Sequence, residues 1–215
     1  MDRKKQILAA IIKEHVATGS PVGSSNLVEK YKLDCSSATV RNIMAELEED
    51  GFIRQPHTSA GRVPTEAAYR YFIEHLAHHR PAAEEGRGFS DVFADRARAV
   101  AAAKALAAKT HECVFVSFGR DDVYVTGLSN LFAKPEFVER EIAMNLTAAL
   151  DQLDQMVGRL CAGAGAQLLI GEENPLDSHC ATVYLAPTEG RRVGVLGLMR
   201  MDYEKILNLL DSIKF

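Results

Sequence analysis

The sequence predicts an α+β chain in which a small helical unit closed by a β-hairpin precedes a longer unit of mixed strands and helices. Three observations carry this. Helical apolar periodicity recurs three times within residues 3–50. Two short β-type runs, 52–56 and 62–64, then bracket a small polar loop. From residue 113 onward, strand-like runs alternate with helical ones.

The first helix is expected over 3–16, where Ile7, Leu8, Ile11, Ile12 and Val16 share one face while Lys4, Lys5, Lys13 and Glu14 fall elsewhere. Thr18-Gly19-Ser20-Pro21 ends it, because glycine accepts the left-handed cap and proline cannot continue a helix. Ser24 or Ser25 is expected to cap a second, short helix through Leu27, Val28 and Tyr31. Ser36-Ser37 offers a capping hydroxyl to a third, which runs to about Asp50 and stops at Gly51. Val40, Ile43, Met44 and Leu47 form its core face. Its other face opens with Ser37, Ala38, Thr39, Arg41 and Asn42 and ends acidic at Glu46, Glu48, Glu49 and Asp50.

Phe52-Ile53-Arg54-Gln55-Pro56 and Arg62-Val63-Pro64 flank His57-Thr58-Ser59-Ala60-Gly61, a loop without a large apolar side chain, and read as a hairpin. Three helices followed by a hairpin make a winged helix-turn-helix domain. In that arrangement the third helix enters a major groove and the wing lies on the backbone or the neighbouring minor groove. Short hydrogen-bonding residues and an arginine near the helix start suit base edges, whereas the acidic end must turn away from phosphates. The candidate recognition residues are therefore Ser37, Ala38, Thr39, Arg41 and Asn42. The candidate wing residues are Arg54, His57, Thr58, Ser59, Gly61 and Arg62. Thr65 is placed to cap a further helix carrying Tyr69, Tyr71, Phe72, Ile73 and Leu76.

Residues 81–88 are small and charged and read as a hinge. Residues 94–110 are alanine-rich with a thin stripe at Val100 and Leu106, which fits either a helix lying on its own domain or one seeking a partner helix. Strands are expected at 113–118, 123–126, 166–170, 182–185 and 192–198, one long helix at 135–157 and a last helix at 203–213. Mixed strands with flanking helices make a GAF-like α+β sheet domain. The expected divisions are 1–80 for the winged helix, 81–111 for the hinge and linker helix, and 112–215 for a shortened GAF-like domain.

Composition narrows the function classes. The 215 residues are 47% apolar and 25% charged. No apolar run approaches the about 20 residues of a membrane span or the core of a secretory leader, so a cytoplasmic protein with no membrane partner is expected. The net charge of −4 conceals +1 on residues 1–80 and −5 on residues 81–215, so placement matters more than the total. Cys35, Cys113, Cys161 and Cys180 are dispersed without metal-ligand spacing and read as reduced, small hydrophobes. His75, His78 and His79 fall on one helix face without evident further ligands, Gly163-Ala164-Gly165 lacks phosphate-loop spacing, and Glu172 and Glu173 diverge as neighbours. Neither an enzyme nor a cofactor or metal is indicated.

The stretches Thr18-Gly19-Ser20-Pro21-Val22-Gly23-Ser24, Ser36 to Glu48, and Pro56-His57-Thr58-Ser59-Ala60-Gly61-Arg62-Val63-Pro64-Thr65 closely resemble the heat-inducible transcription repressor family HrcA. Gly127-Leu128-Ser129-Asn130-Leu131, Lys134-Pro135-Glu136-Phe137, Ile170 to Asn174, Gly194 to Gly197 and Arg200-Met201-Asp202-Tyr203 look like that family's C-terminal signature. The resemblance implies a dimeric repressor of chaperone operons, bound to an inverted-repeat DNA operator and released on heat stress. It also implies a GroEL-type chaperonin as partner. Two features depart from the family pattern: residues 81–124 are too short for the inserted dimerising domain, and Leu198-Met199 stands where a proline usually follows the glycine. Two other readings stay open, a ligand-sensing regulator using the GAF-like domain and a protein-interaction module without specific operator binding.

Overall fold

The computed structural model describes residues 2–57, 60–77, 92–119, 122–138, 144, 147, 150–188 and 190–213. It divides into two compact units, Met1–His79 and Arg80–Phe215.

In the first unit, helix α1 (Arg3–Thr18) starts on Asp2, whose carboxylate accepts from the Lys4 amide, and ends at Gly19 in the left-handed region with φ 67°. Ile7, Leu8, Ile11 and Ile12 are buried as the periodicity predicts. Glu14 is buried with them, which corrects its placement on the polar side. It is held by Lys30 at 2.6 Å and by bonds from Asn26 and Tyr31, and the Lys30 contact keeps its carboxyl below the ordinary carboxylate range.

Helix α2 (Ser24–Tyr31) is capped by Gly23 with no side-chain bond. Ser24 and Ser25 therefore lie inside the helix rather than at its cap. Helix α3 (Ser37–Glu49) does use the expected serine: Ser36 Oγ accepts from the Thr39 amide at 3.1 Å. Removing that acceptor in Ser36→Ala is expected to lower the stability of this unit by about 1 kcal/mol. Thermal unfolding reads this, and an unchanged melting temperature would mean that the cap contributes nothing.

Val40, Met44 and Leu47 are buried, and Gly51 turns the chain at φ 79° into strand β1 (Ile53–Arg54). Strand β1 pairs antiparallel with β2 (Val63–Pro64), Ile53 opposite Pro64. Thr65 then precedes helix α4 (Glu66–Ala77); its hydroxyl accepts from the Ala68 amide and lies 2.7 Å from the Gly51 carbonyl, which locks hairpin to helix.

A further bridge joins Val22 to Arg62. The Arg62 amide donates to the Val22 carbonyl at 2.9 Å and the Val22 amide to the Arg62 carbonyl at 2.8 Å. The linker before α2 thus lies against the base of the hairpin as a one-residue third strand.

In the second unit, helix α5 (Arg96–Thr110) is capped by Asp95 and followed by strands β3 (Cys113–Ser117) and β4 (Val123–Thr126). A short helix α6 (Leu128–Phe132) and a 3-10 turn (Pro135–Val138) come next. Residues 144, 147 and 150 are helical, a turn occupies 151–152, and helix α7 covers Leu153–Arg159. The single long helix expected over 135–157 is therefore opened by a 3-10 turn and interrupted before Leu153. Strands β5 (Gly163–Ile170), β6 (Cys180–Thr188) and β7 (Arg191–Leu198) and helix α8 (Tyr203–Asp211) complete the order.

The five strands form one antiparallel sheet ordered β4-β3-β7-β6-β5. Phe115, Cys113, Tyr184 and Leu196 join Leu131, Leu153 and Val157 in the core on one face. Helices α5 and α8 touch each other and cover the other, α5 over β3 and β4, α8 over β5 and β6. Coverage on both faces explains why β3 is buried at every position instead of alternating. Helix α5 packs through Ala99, Ala102, Ala103, Leu106 and Ala107, so Leu106 of the expected stripe makes the contact together with small residues, while Val100 is half-buried. The proposed hinge at 81–88 lies outside the described residues.

Candidate nucleic-acid interface

Capping by Ser36 fixes the first turn of α3, and the positions after it present one polar face. Ala38, Arg41 and Asn42 are exposed, Ser37 and Thr39 half-buried. The Thr39 hydroxyl lies 2.9 Å from Ser36 Oγ and is engaged in the cap. From the hairpin, Arg54 and His57 are exposed and Gly61 and Arg62 half-buried. Thr58 and Ser59 lie outside the described residues.

Two cations of the same unit pair with three of the four carboxylates at the acidic end of α3. Lys4 reaches Asp50 at 2.7 Å and Glu46 at 3.4 Å, and the Asp50 contact raises the Lys4 ammonium above its usual value. Arg62 pairs with Glu48, with Nε and Nη2 both 2.9 Å from Oε2. Arg41 and Arg54, by contrast, bond to nothing among the described residues. The net effect is a polar start of α3 carrying an arginine with no partner among the described residues, with the carboxylates behind it partly compensated and Glu49 exposed.

Arg41, Ser25, Gly61, Arg62 and the Val22–Gly23 linker wall a cavity of about 330 Å³ at the junction of α2, α3 and the hairpin base. Gly61 is required there. A Cβ at that position would lie 2.5 Å from the Val22 carbonyl carbon and 2.8 Å from its nitrogen.

The sheet unit holds buried charge that the sequence reading did not single out. Glu112 and Lys134 form an ion pair that is nearly sealed from solvent, and Oε2 of Glu112 has no partner among the described residues. Burial pushes the Glu112 carboxyl up to about 7 against the lowering influence of Lys134. Arg200 grips Glu136 through Nε at 2.6 Å and Nη2 at 3.1 Å. Arg192, also buried, donates to the carbonyls of Leu160 and Gly158 and so closes the C-terminus of α7. Lys134, Glu136 and Arg200 belong to the motifs quoted above; Glu112 carries no local signal.

Burial raises the Cys113 and Cys180 thiols to about 12, which leaves them unreactive. Of the three histidines, His75 is described and His78 and His79 are not. No group of three His, Cys, Asp or Glu residues able to hold a metal occurs among the described residues. No helix among them is long and apolar enough to cross a membrane.

Residues 64–207 match the family model for the HrcA protein C terminal domain. The chain is 56% identical over 75 residues to the heat-inducible transcription repressor HrcA of Pelotomaculum thermopropionicum, a match covering 35% of this chain and 22% of that protein. It is 48% identical over 95 residues to the repressor of the same description from Chlorobaculum tepidum, covering 44% of this chain and 27% of that one. The chain thus spans about a quarter of the length of the curated relatives it matches. Among solved structures, the crystal structure of a hypothetical protein at 2.2 Å resolution has a TM-score of 0.73 at 18% identity and covers 98% of this chain and 95% of its own. At that identity the likeness concerns the fold.

Proposed function

The chain belongs to the HrcA family, and from that premise we propose that it is a heat-inducible transcriptional repressor that binds an inverted-repeat DNA operator as a homodimer and leaves it on heat stress. The observation that carries this reading is the polar start of α3, where Arg41 stands exposed beside Asn42 with no partner among the described residues, while three of the four carboxylates at the other end are held by Lys4 and Arg62. The name shared by the relatives supports the heat response. Resemblance to the family supports a GroEL-type chaperonin as partner. In this reading the first unit is a winged helix. Ser37, Ala38, Thr39, Arg41 and Asn42 approach base edges and flanking phosphates, and Arg54, His57, Thr58, Ser59 and Gly61 line the wing with Arg62 at its base. The reaction is steric occupation of DNA and involves no catalytic step or cofactor.

Binding to an inverted-repeat duplex and to a scrambled duplex at physiological salt, with stoichiometry measured alongside, tests the reading. A preference of about a thousandfold or more with two protomers per duplex is expected. Equal, weak and salt-sensitive binding to both would overturn it.

Arg41→Ala sharpens the test. An arginine fork reading guanine O6 and N7 is worth about 1–3 kcal/mol and the homodimer loses one in each half-site, so operator affinity should fall about thirtyfold or more while scrambled-duplex affinity changes little. An equal loss on both duplexes would make Arg41 a phosphate contact and remove it from base reading.

A further inference from the structure

An acidic residue at the end of a DNA-reading helix is expected to be electrostatically unfavourable and to face away from the ligand. Glu48 has a more specific placement. It sits in the last turn of α3, half-buried, and each of its carboxylate oxygens is used by the hairpin. Oε2 accepts from Arg62 Nε and Nη2, both at 2.9 Å, and Oε1 accepts from the Gln55 amide at 3.1 Å. Gln55 Nε2 in turn donates to the Ala60 carbonyl at 3.1 Å across the loop. Gln55 follows β1 and Arg62 precedes β2, so one carboxylate holds both arms of the hairpin where they leave the short ladder. That ladder is two residues long on each strand and cannot by itself fix the direction of the loop beyond it.

We propose that Glu48 is a positioning residue that sets the hairpin wing against the reading face of α3, and that Arg62 acts on DNA through this clamp instead of touching a phosphate. The proposal rests on the DNA-binding reading above. It assigns a role to a carboxylate that charge alone would count as harmful. The two accounts of the Glu48–Arg62 pair then differ in sign. If Arg62 is a phosphate contact restrained by Glu48, neutralising Glu48 frees the cation, removes a negative charge and tightens binding to any duplex. If Glu48 positions the wing, the same change weakens operator binding, because the wing loses its register with α3.

The test compares the full chain with Glu48→Gln and with Arg62→Gln on operator and scrambled duplexes at two salt concentrations, with thermal unfolding alongside. For Glu48→Gln the expected result is about tenfold weaker operator binding with scrambled-duplex binding equal or tighter, a split that general loss of stability does not produce. Arg62→Gln should likewise weaken operator binding while leaving the salt dependence on scrambled duplex unchanged, because its guanidinium holds Glu48 and not a phosphate. Tighter binding of Glu48→Gln to both duplexes would overturn the proposal. So would an Arg62→Gln variant whose binding to both duplexes falls together with the salt dependence. Wild-type protein without operator preference would overturn the DNA-binding reading itself, and the clamp's role with it.

Discussion

Gly61→Ala is expected to cost the N-terminal unit about 3–5 kcal/mol and to lower operator affinity more than tenfold. The added Cβ would stand 2.5 Å from the carbonyl carbon of Val22 and 2.8 Å from its nitrogen, and backbone cannot rotate away as a side-chain tip can. Val22 must retreat. With it go the two backbone bonds to Arg62, at 2.8 and 2.9 Å. Overpacking of this kind costs about 1–3 kcal/mol, and each lost bond adds about 1 kcal/mol. In a unit of this size that is a fall in melting temperature of more than about 8 °C. Gly23→Ala is the control, since a Cβ there meets nothing within 4 Å. An alanine at position 61 that melts within about 2 °C of wild type and binds operator as tightly would show that the Val22–Arg62 bridge does not hold the hairpin base.

The second large effect is a pH dependence centred on Glu112. Its carboxyl, at about 7 in the folded protein against 4.5 for the free group, holds a proton that the unfolded chain releases. The associated stability is fully present below about 4.5 and is lost as pH rises through about 7. From pH 5 to pH 8 this one group lowers the stability of the sheet unit by about 2 kcal/mol. The direction is opposite to that of Glu14 and Glu136, whose lowered values weaken the fold only at more acidic pH. Thermal or denaturant unfolding of wild type and Glu112→Gln across this range measures the difference. Wild type should lose stability toward pH 8 and the glutamine variant should show a flatter profile. Parallel profiles would mean that Glu112 is charged throughout and fully compensated by Lys134.

What the sequence revealed follows the range of the interactions involved. Helices α1 and α3 and the hairpin were legible because their signals are local: a 3.6-residue apolar period, Ser36 as cap, Gly19 and Gly51 as stops. The cap of α2 was misplaced because serines at 24 and 25 outrank glycine by propensity, yet Gly23 is where the extended backbone turns helical. Burial of Glu14 was invisible because Lys30, Asn26 and Tyr31, which satisfy it, belong to another helix. The 135–157 segment has helical composition throughout, and its 3-10 opening and the turn at 151–152 carry no proline or glycine after Pro135 to announce them. Arg192 opens an expected strand, and nothing local announces that its partners are the carbonyls of Gly158 and Leu160. The polar start of α3 was readable residue by residue. Its compensation was not, since Lys4 and Arg62 come from opposite ends of the unit.

The strand order β4-β3-β7-β6-β5 also dictates a sequence of events during synthesis. Strand β3 has β4 close behind it in the sequence, but its other neighbour is β7, with Cys113 opposite Leu196. Until the ribosome has released that distant strand, the inner edge of β3 is an open row of amides and carbonyls on an apolar ribbon, the kind of surface that chaperones shield. The N-terminal unit closes its bridge between residues 40 apart, Val22 to Arg62, within its own length. It can therefore be folded while the sheet is still waiting for its central pair. The interval between the two is the period of greatest exposure to aggregation, and it lengthens with every residue that separates β4 from β7.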